Sequence, residues 1–271
     1  MKYKSIHKKL FTIHSKIDVQ DNKLPDALDQ IQKDYQSILS EIVDEVQRNT
    51  SDTSKKYDDM IQYYTIWVHQ IKTPIASMRL HLQNEDTPFS RKILLDLNRI
   101  EQYSNMVMTY LRLQSDMTDY VFQKYDLDKI LRKSIRYFSN EFIDRKIKLN
   151  YAPVHTEVLT DEKWLSFVIE QLLSNALKYT KSGSISISFD SNKVLHIQDT
   201  GIGISKADLP RIFEKGYTGL NGREHEKASG IGLYLCSEIC QRLQHELSIQ
   251  SEVGKGTCVN IDLSKKEIIM D

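Results

Sequence analysis

No stretch of the sequence holds the roughly eighteen consecutive apolar residues that a membrane-spanning helix needs. The opening residues, Met1 to Leu10, are polar and basic where a signal peptide would be apolar. The expectation is a water-soluble portion, with any spans of a membrane-anchored parent lying upstream. Cysteine is scarce: Cys236, Cys240 and Cys258 are odd in number and lack the C-x-x-C spacing of a metal or redox site. They read as buried, reduced thiols in a reducing cytosol. Neither sign of charge is in excess, with 37 Lys and Arg against 37 Asp and Glu, so nothing points to nucleic acid or to anionic lipid. What remains is a chain of 271 residues, long enough for two compact units.

The first part is helical in pattern. Residues 1 to 23 show weak periodicity, a short helix or a frayed leader. Leu28, Ile31, Tyr35, Ile38, Ile42 and Val46 alternate spacings of three and four, the narrow stripe of a two-stranded coiled coil that asks for a partner helix and so for a homodimer. The polar run Asn49 to Ser54 predicts a hinge or helix restart, or an ordinary solvated loop. From Lys55 to about His81 a helix resumes, with Ile61, Tyr64, Val68, Ile71 and Ile75 as its buried stripe. His69 stands beside that stripe, Thr73 lies one turn on along the same face, and Pro74 removes a backbone donor, which bends the helix. Thr87 as N-cap and Pro88 at the first position open a second helix to about Leu113, with Ile93, Leu94, Leu97, Ile100, Tyr103, Val107 and Tyr110 on one face. Two helices and a short turn make a hairpin, and two hairpins make a four-helix bundle with His69 partly exposed.

Past Gln114 the period changes. Strands are predicted at Tyr120 to Tyr125, Ile147 to Tyr151, Ser184 to Phe189, Val194 to Gln198, Leu247 to Ser251 and Thr257 to Leu263. Helices are predicted with Asp126 as cap through Phe138, after Thr160-Asp161 to about Lys178, and from about Ile231 to Leu243. Strands mixed with three helices predict a two-layer α/β sandwich, so the whole is an α+β chain. The divisions are 1–54 (coil and linker), 55–115 (hairpin) and 116–271 (sandwich).

Four clusters in the sandwich carry chemistry. Gln171, Asn175, Lys178 and Tyr179 share one helical face, where amide oxygens can hold a hard cation and a lysine can meet a phosphate. Asp199, Gly201 and Gly203 follow a strand; the glycines permit close backbone approach and the carboxylate can accept from an exocyclic amine. Arg211 to Tyr217 is a basic and aromatic patch containing Lys215. Gly230, Gly232 and Leu233 open a helix whose free amides suit a phosphate chain. The polar segment between Lys215 and Gly230 has the make-up of a lid or of a plain flexible loop. Taken singly, each cluster reads equally well as a polar helix face, a turn or a core edge.

In this order, however, they resemble the N, first glycine, F and second glycine boxes of histidine kinases, in the ATPase fold shared with gyrase-type enzymes. His69-Gln70-Ile71-Lys72-Thr73-Pro74 resembles the phosphoacceptor box of the same family. The preceding Trp67-Val68 resembles the intramembrane-sensing subgroup that works beside peptide-antibiotic ABC transporters. The resemblance implies that ATP and Mg2+ sit in the sandwich, held by Asn175, Lys178, Tyr179, Asp199, Gly201, Gly203, Lys215, Gly230, Gly232 and Leu233, with Asn175 and Gln171 on the metal. It implies that His69 is the phosphoacceptor, that a response-regulator receiver domain is the partner, and that Thr73 positions water for dephosphorylating that partner.

The chain departs from the pattern at Gln70, where the family usually has an acidic residue. An amide can orient the imidazole but cannot serve as a base near neutral pH. Gln171 also stands where Asn is usual. The main alternative is a nucleotide-binding pseudokinase or dimeric scaffold; an ATPase would need a catalytic acid at the metal-facing position, and Glu170 is one residue off it.

Overall fold

A computed structural model describes residues 27, 29–83, 87–114, 120–219 and 229–264. The reading of residues 1 to 23, Leu28 of the coil stripe, and positions 220–228 of the polar segment lie outside the described residues. The chain divides into two units, Met1–Tyr63 and Tyr64–Asp271.

Helix α1, Gln30–Gln83, runs through both without interruption, and this corrects the break expected at Asn49 to Ser54. The reason is local. Thr50 Oγ1 donates to the Val46 carbonyl (2.8 Å) and Thr53 Oγ1 to the Asn49 carbonyl (2.7 Å), so these hydroxyls bond back one turn instead of competing with the helix. In the first unit Ile31, Tyr35, Ile38, Ile42 and Val46 are all exposed, an apolar stripe that no other described residue covers.

In the second unit α1 supplies Val68 and Ile75 as buried residues, with Tyr64 and Ile71 half-buried; Ile61, in the first unit, is half-buried as well. Pro74 lies inside the helix. Helix α2, Pro88–Gln114, begins as its cap chemistry requires: the Ser90 amide donates to Thr87 Oγ1 (3.0 Å) and the Thr87 amide to Ser90 Oγ (2.9 Å), a reciprocal capping box. Its buried residues are Ser90, Leu97, Ser104, Met108, Leu111 and Leu113; of the stripe expected, Leu97 is buried and Ile93, Leu94 and Tyr110 are half-buried. Ile100, Tyr103 and Val107 are exposed, because the residues that meet neighbours within the chain lie one step around the helix. Arg79 of α1 reaches across the hairpin to Asn98 (2.9 Å) and Glu101 (2.8 Å).

The sandwich follows. In chain order it contains β1 (Gln123–Asp126), α3 (Leu127–Tyr137), α4 (Ser139–Asp144), β2 (Lys148–Tyr151), β3 (Glu157–Thr160), α5 (Glu162–Tyr179), β4 (Ser184–Phe189), β5 (Val194–Asp199), α6 (Gly232–Arg242), β6 (Glu246–Glu252) and β7 (Gly256–Asp262). Strands β1 and β3 pair apart from the main sheet, whose order is β2-β4-β5-β7-β6; β2 is parallel to β4 and the other pairings are antiparallel. Short elements β3 and α4 were not legible in the sequence. Both helix starts are fixed by carboxylates: Asp126 accepts from the amides of Asp128 and Lys129, and Asp161 from those of Lys163 and Trp164. One apolar core joins the layers, with Leu165, Ile169, Leu172, Leu173 and Leu177 of α5 and Leu235 and Ile239 of α6 over Ile185, Ile187, Leu195, Ile197 and Ile261 of the sheet.

His245, between α6 and β6, is a buried polar exception. Its Nε2 meets Thr160 Oγ1 at 3.0 Å, and burial pushes its pKa down from 6.5 to about 4. The unfolded chain therefore binds a proton more readily than the folded one between those values. The neutral ring's contribution is complete above pH 6.5 and is lost as the pH falls towards about 4. Urea unfolding should show stability dropping over that window by up to about 3 kcal/mol, and His245→Gln should flatten that part of the profile.

Candidate functional site

Strand alternation determines the floor of the site. Leu195 and Ile197 of β5 point into the core, and two residues on the same inward series ends in Asp199, a carboxylate where a third apolar side chain would otherwise pack. Burial raises its pKa, against the opposing pull of two backbone hydrogen bonds. The amides of Gly201 (2.8 Å) and Thr257 (3.3 Å) both donate to Oδ1, so the second oxygen is the one available to a ligand's donor. The turn around it is closely built. A methyl group on Gly203, at φ +71°, would lie 2.1 Å from the Glu252 carbonyl oxygen, and one on Gly256, at φ +109°, 2.0 Å from that of Asp199.

Above this floor lies a cavity of about 580 Å³, within the range of small-molecule sites. Its wall includes Gln171, Asn175, Lys178 and Tyr179 of α5, Asp199 and Gly203 of the turn, and Gly230, Gly232 and Leu233 at the start of α6. Gly201 and Lys215 are not on that wall. Gly201 forms the turn beneath Asp199, and a methyl there would press on the Tyr179 carbonyl at 2.5 Å. Lys215 Nζ instead bonds to Tyr110 Oη (2.5 Å) and sits 4.7 Å from the centre of that ring.

Three features give the cavity its chemistry. Lys178 Nζ lies 4.9 Å from the Tyr179 ring centre, so one cation and one aromatic face stand together on the wall. Helix α6 has Ile231 at its N-cap, which makes no side-chain cap bond and so leaves first-turn amides and the positive end of the helix dipole for an anion. Gln171 is buried, and its Oε1 would be 3.0 Å from a methyl on Gly232, so a side chain at 232 would press on that amide. Among the described residues no three His, Cys, Asp or Glu side chains are grouped to hold a metal ion. A hard cation here would rely on amide oxygens, waters and the oxygens of its ligand.

Asp208 and the residues of α2 join the cavity with no local signature in the sequence. Asp208 lines it and accepts from Tyr217 Oη (2.5 Å), which belongs to the basic and aromatic patch, with the Arg211 guanidinium 4.3 Å from the Tyr217 ring centre. Helix α2 closes another side with Gln102, Tyr103 and Met106. Ser174 Oγ meets Gln102 at 3.4 Å, Ser229 Oγ meets Met106 Sδ at 3.6 Å, and Arg242 Nη2 meets the Leu113 carbonyl at 2.5 Å.

The histidine box lies elsewhere. His69 and Gln70 are exposed on α1, and neither lines the cavity. Thr73 Oγ1 donates to the His69 carbonyl at 3.2 Å, one turn back. Among the described residues no helix is long and apolar enough to cross a membrane.

Comparison with known proteins accords with this geometry. Residues 160–267 match the family model described as histidine kinase-, DNA gyrase B- and HSP90-like ATPase. The chain is 34% identical over 222 residues to the sensor histidine kinase YxdK of Bacillus subtilis, covering 79% of this chain and 68% of that protein. It is 33% identical over 223 residues to the sensor protein BceS of Halalkalibacterium halodurans, covering 81% and 66% respectively, so it spans about two thirds of the length of these curated relatives. The crystal structure of full-length ShkA in complex with AMPPNP shares its fold, with a TM-score of 0.51 at 22% identity over 74% of this chain and 45% of that one.

Proposed function

The chain belongs to the sensor histidine kinase family, and from that premise we propose that it phosphorylates its own His69 from ATP and passes the phosphoryl group to an aspartate of a response-regulator receiver domain. The observation that carries this reading is an exposed histidine on the hairpin, in one chain with a cavity that pairs a buried carboxylate with a lysine and an uncapped helix start.

The residues divide the work as follows. Asp199 accepts from the adenine amine and Tyr179 flanks the base. Lys178, the amide of Gly230 just before α6 and the first amides of that helix, at Gly232 and Leu233, meet the phosphate chain. Asn175 and Gln171 hold Mg2+, which when bound offsets phosphate charge. Gly201 and Gly203 keep the backbone close beneath Asp199, and Lys215 acts from the rim. The His69 ring nitrogen attacks the terminal phosphorus in line, the bond to the bridging oxygen breaks, and ADP leaves. Gln70 orients the imidazole so that the attacking nitrogen carries the lone pair. Because His69 is not on the cavity wall, the sandwich must move relative to the hairpin for transfer.

The exposed stripe from Ile31 to Val46 supports a homodimer, with 1–54 as the signalling coil, 55–115 as the dimerising hairpin and 116–271 as the catalytic domain. The Trp67 to Pro74 stretch and the likeness to YxdK and BceS support the intramembrane-sensing subgroup, a parent anchored in the cell membrane outside this chain, and an ABC transporter as a further partner. Incubation with γ-labelled ATP tests the central reading. Acid-labile, alkali-stable label on the protein supports it, and absence of label from material that binds nucleotide indicates a pseudokinase scaffold.

Thr73 carries the phosphatase half of the proposal. Thr73→Ala should leave autophosphorylation within about twofold and slow dephosphorylation of the partner at least tenfold, about 1.4 kcal/mol of barrier. Equal rates for the variant and the parent would remove that role.

A further inference from the structure

Arg145 closes helix α4 and lies just before a left-handed residue, Lys146 at φ 54°, where the chain turns into β2. Its guanidinium points away from that turn towards the end of α5. Nη1 donates to the Leu177 carbonyl, Nη2 donates to the Thr180 carbonyl at 3.0 Å, and Nη1 is paired with Glu141 at 3.3 Å. Carbonyls at a helix C-terminus have no partner within the helix and carry the negative end of its dipole, so a planar cationic fork is matched to them in both charge and shape.

The two carbonyls it holds flank Lys178 and Tyr179. The neighbouring carbonyls are also engaged: Ala176 accepts from the Thr180 amide (3.1 Å), and Tyr179 accepts from the Ile202 amide (3.2 Å) in the turn that carries Asp199. The last turn of α5 is thus tied to the Asp199 turn on one side and to α4 on the other. Arg145 and Glu141 themselves lie on the wall of the cavity beside Lys178.

We propose that Arg145 is a positioning residue for phosphate recognition: by gripping the carbonyls on either side of Lys178 and Tyr179, it sets the direction in which Lys178 presents its ammonium to the phosphate chain. This rests on the nucleotide-site reading above. Arg145 acts through the backbone of α5, not through the base contact at Asp199. A lysine at 145 keeps the charge at the helix end but cannot hold two carbonyls with one rigid plane.

The test compares AMPPNP with adenosine by calorimetry on the full chain, alongside steady-state autophosphorylation. For Arg145→Lys the expected result is an AMPPNP Kd and an ATP KM raised about tenfold, with kcat within threefold and adenosine Kd within twofold. In a Lys178→Ala background, Arg145→Lys should add no further loss, since the group it positions is gone. Arg145→Gln, which loses the charge as well as the fork, should lose at least as much AMPPNP affinity as Arg145→Lys, while adenosine Kd stays within twofold. Equal losses for AMPPNP and adenosine, an unchanged AMPPNP Kd, or a full tenfold loss persisting without Lys178 would each overturn the assignment. Failure of the unmodified chain to bind AMPPNP would overturn the nucleotide reading itself and the assignment with it.

Discussion

His69→Ala should reduce acid-labile label from γ-labelled ATP to background, a loss limited only by detection. An imidazole nitrogen is both the nucleophile and the site that keeps the phosphoryl group, so no neighbouring side chain can take over half of the task. The variant should nonetheless fold and bind nucleotide as the parent does. His69 is exposed, and the buried stripe of its helix is carried by Val68 and Ile75. A thermal midpoint within about 2 °C of the parent corresponds to no more than about 1 kcal/mol for a domain of this size, and an unchanged Kd for ADP would show that the cavity is intact. Label that survives in His69→Ala with the same acid lability would place the acceptor on another residue.

Asp199→Asn should weaken adenine nucleotide binding at least 100-fold, about 3 kcal/mol. The two side chains are nearly identical in shape, so the fold should tolerate the change. What changes is hydrogen-bond polarity. Asp199 Oδ1 is engaged by the amides of Gly201 and Thr257, so an asparagine there must turn its oxygen towards those donors. Its amino group then faces the adenine amine, donor against donor, and a buried unpaired donor costs more than a lost bond. The same argument predicts a change of preference: the variant should bind a 6-oxopurine triphosphate better than ATP, because its amino group can donate to the oxo oxygen. Calorimetry with ATP and ITP on parent and variant checks both statements. Equal weakening for the two purines would indicate that Asp199 supports the turn without reading the base.

The sandwich was legible in the sequence because its signals are local. Asp126 caps its helix as expected and the next helix begins just after Asp161 as expected, both side chains accepting from the amides just beyond. Alternation in Ser184–Phe189 and Val194–Asp199 predicted strands within a residue of where they lie. Where local chemistry had two outcomes, the sequence misled. The hydroxyl-rich run Asn49 to Ser54 could leave the helix or bond back into it, and Thr50 and Thr53 do the latter. On α2 the apolar and small residues are spread around more than one face, and contact with neighbouring elements selected Ser90, Leu97, Ser104, Met108 and Leu111 for burial.

Sequence by itself determined which residue types stand together over one or two turns: His69 with Gln70 and Thr73, Asn175 with Lys178 and Tyr179, Asp199 with its glycines. Helical and strand periodicity fix such neighbours before any tertiary contact forms. Only the tertiary structure decided that Met106 of α2 and Asp208 join the same cavity, that Lys215 rests on Tyr110, and that Arg145 grips the end of a helix 32 residues further on. These contacts bridge elements far apart in the chain and are set by how layers pack, which no residue's own neighbours encode.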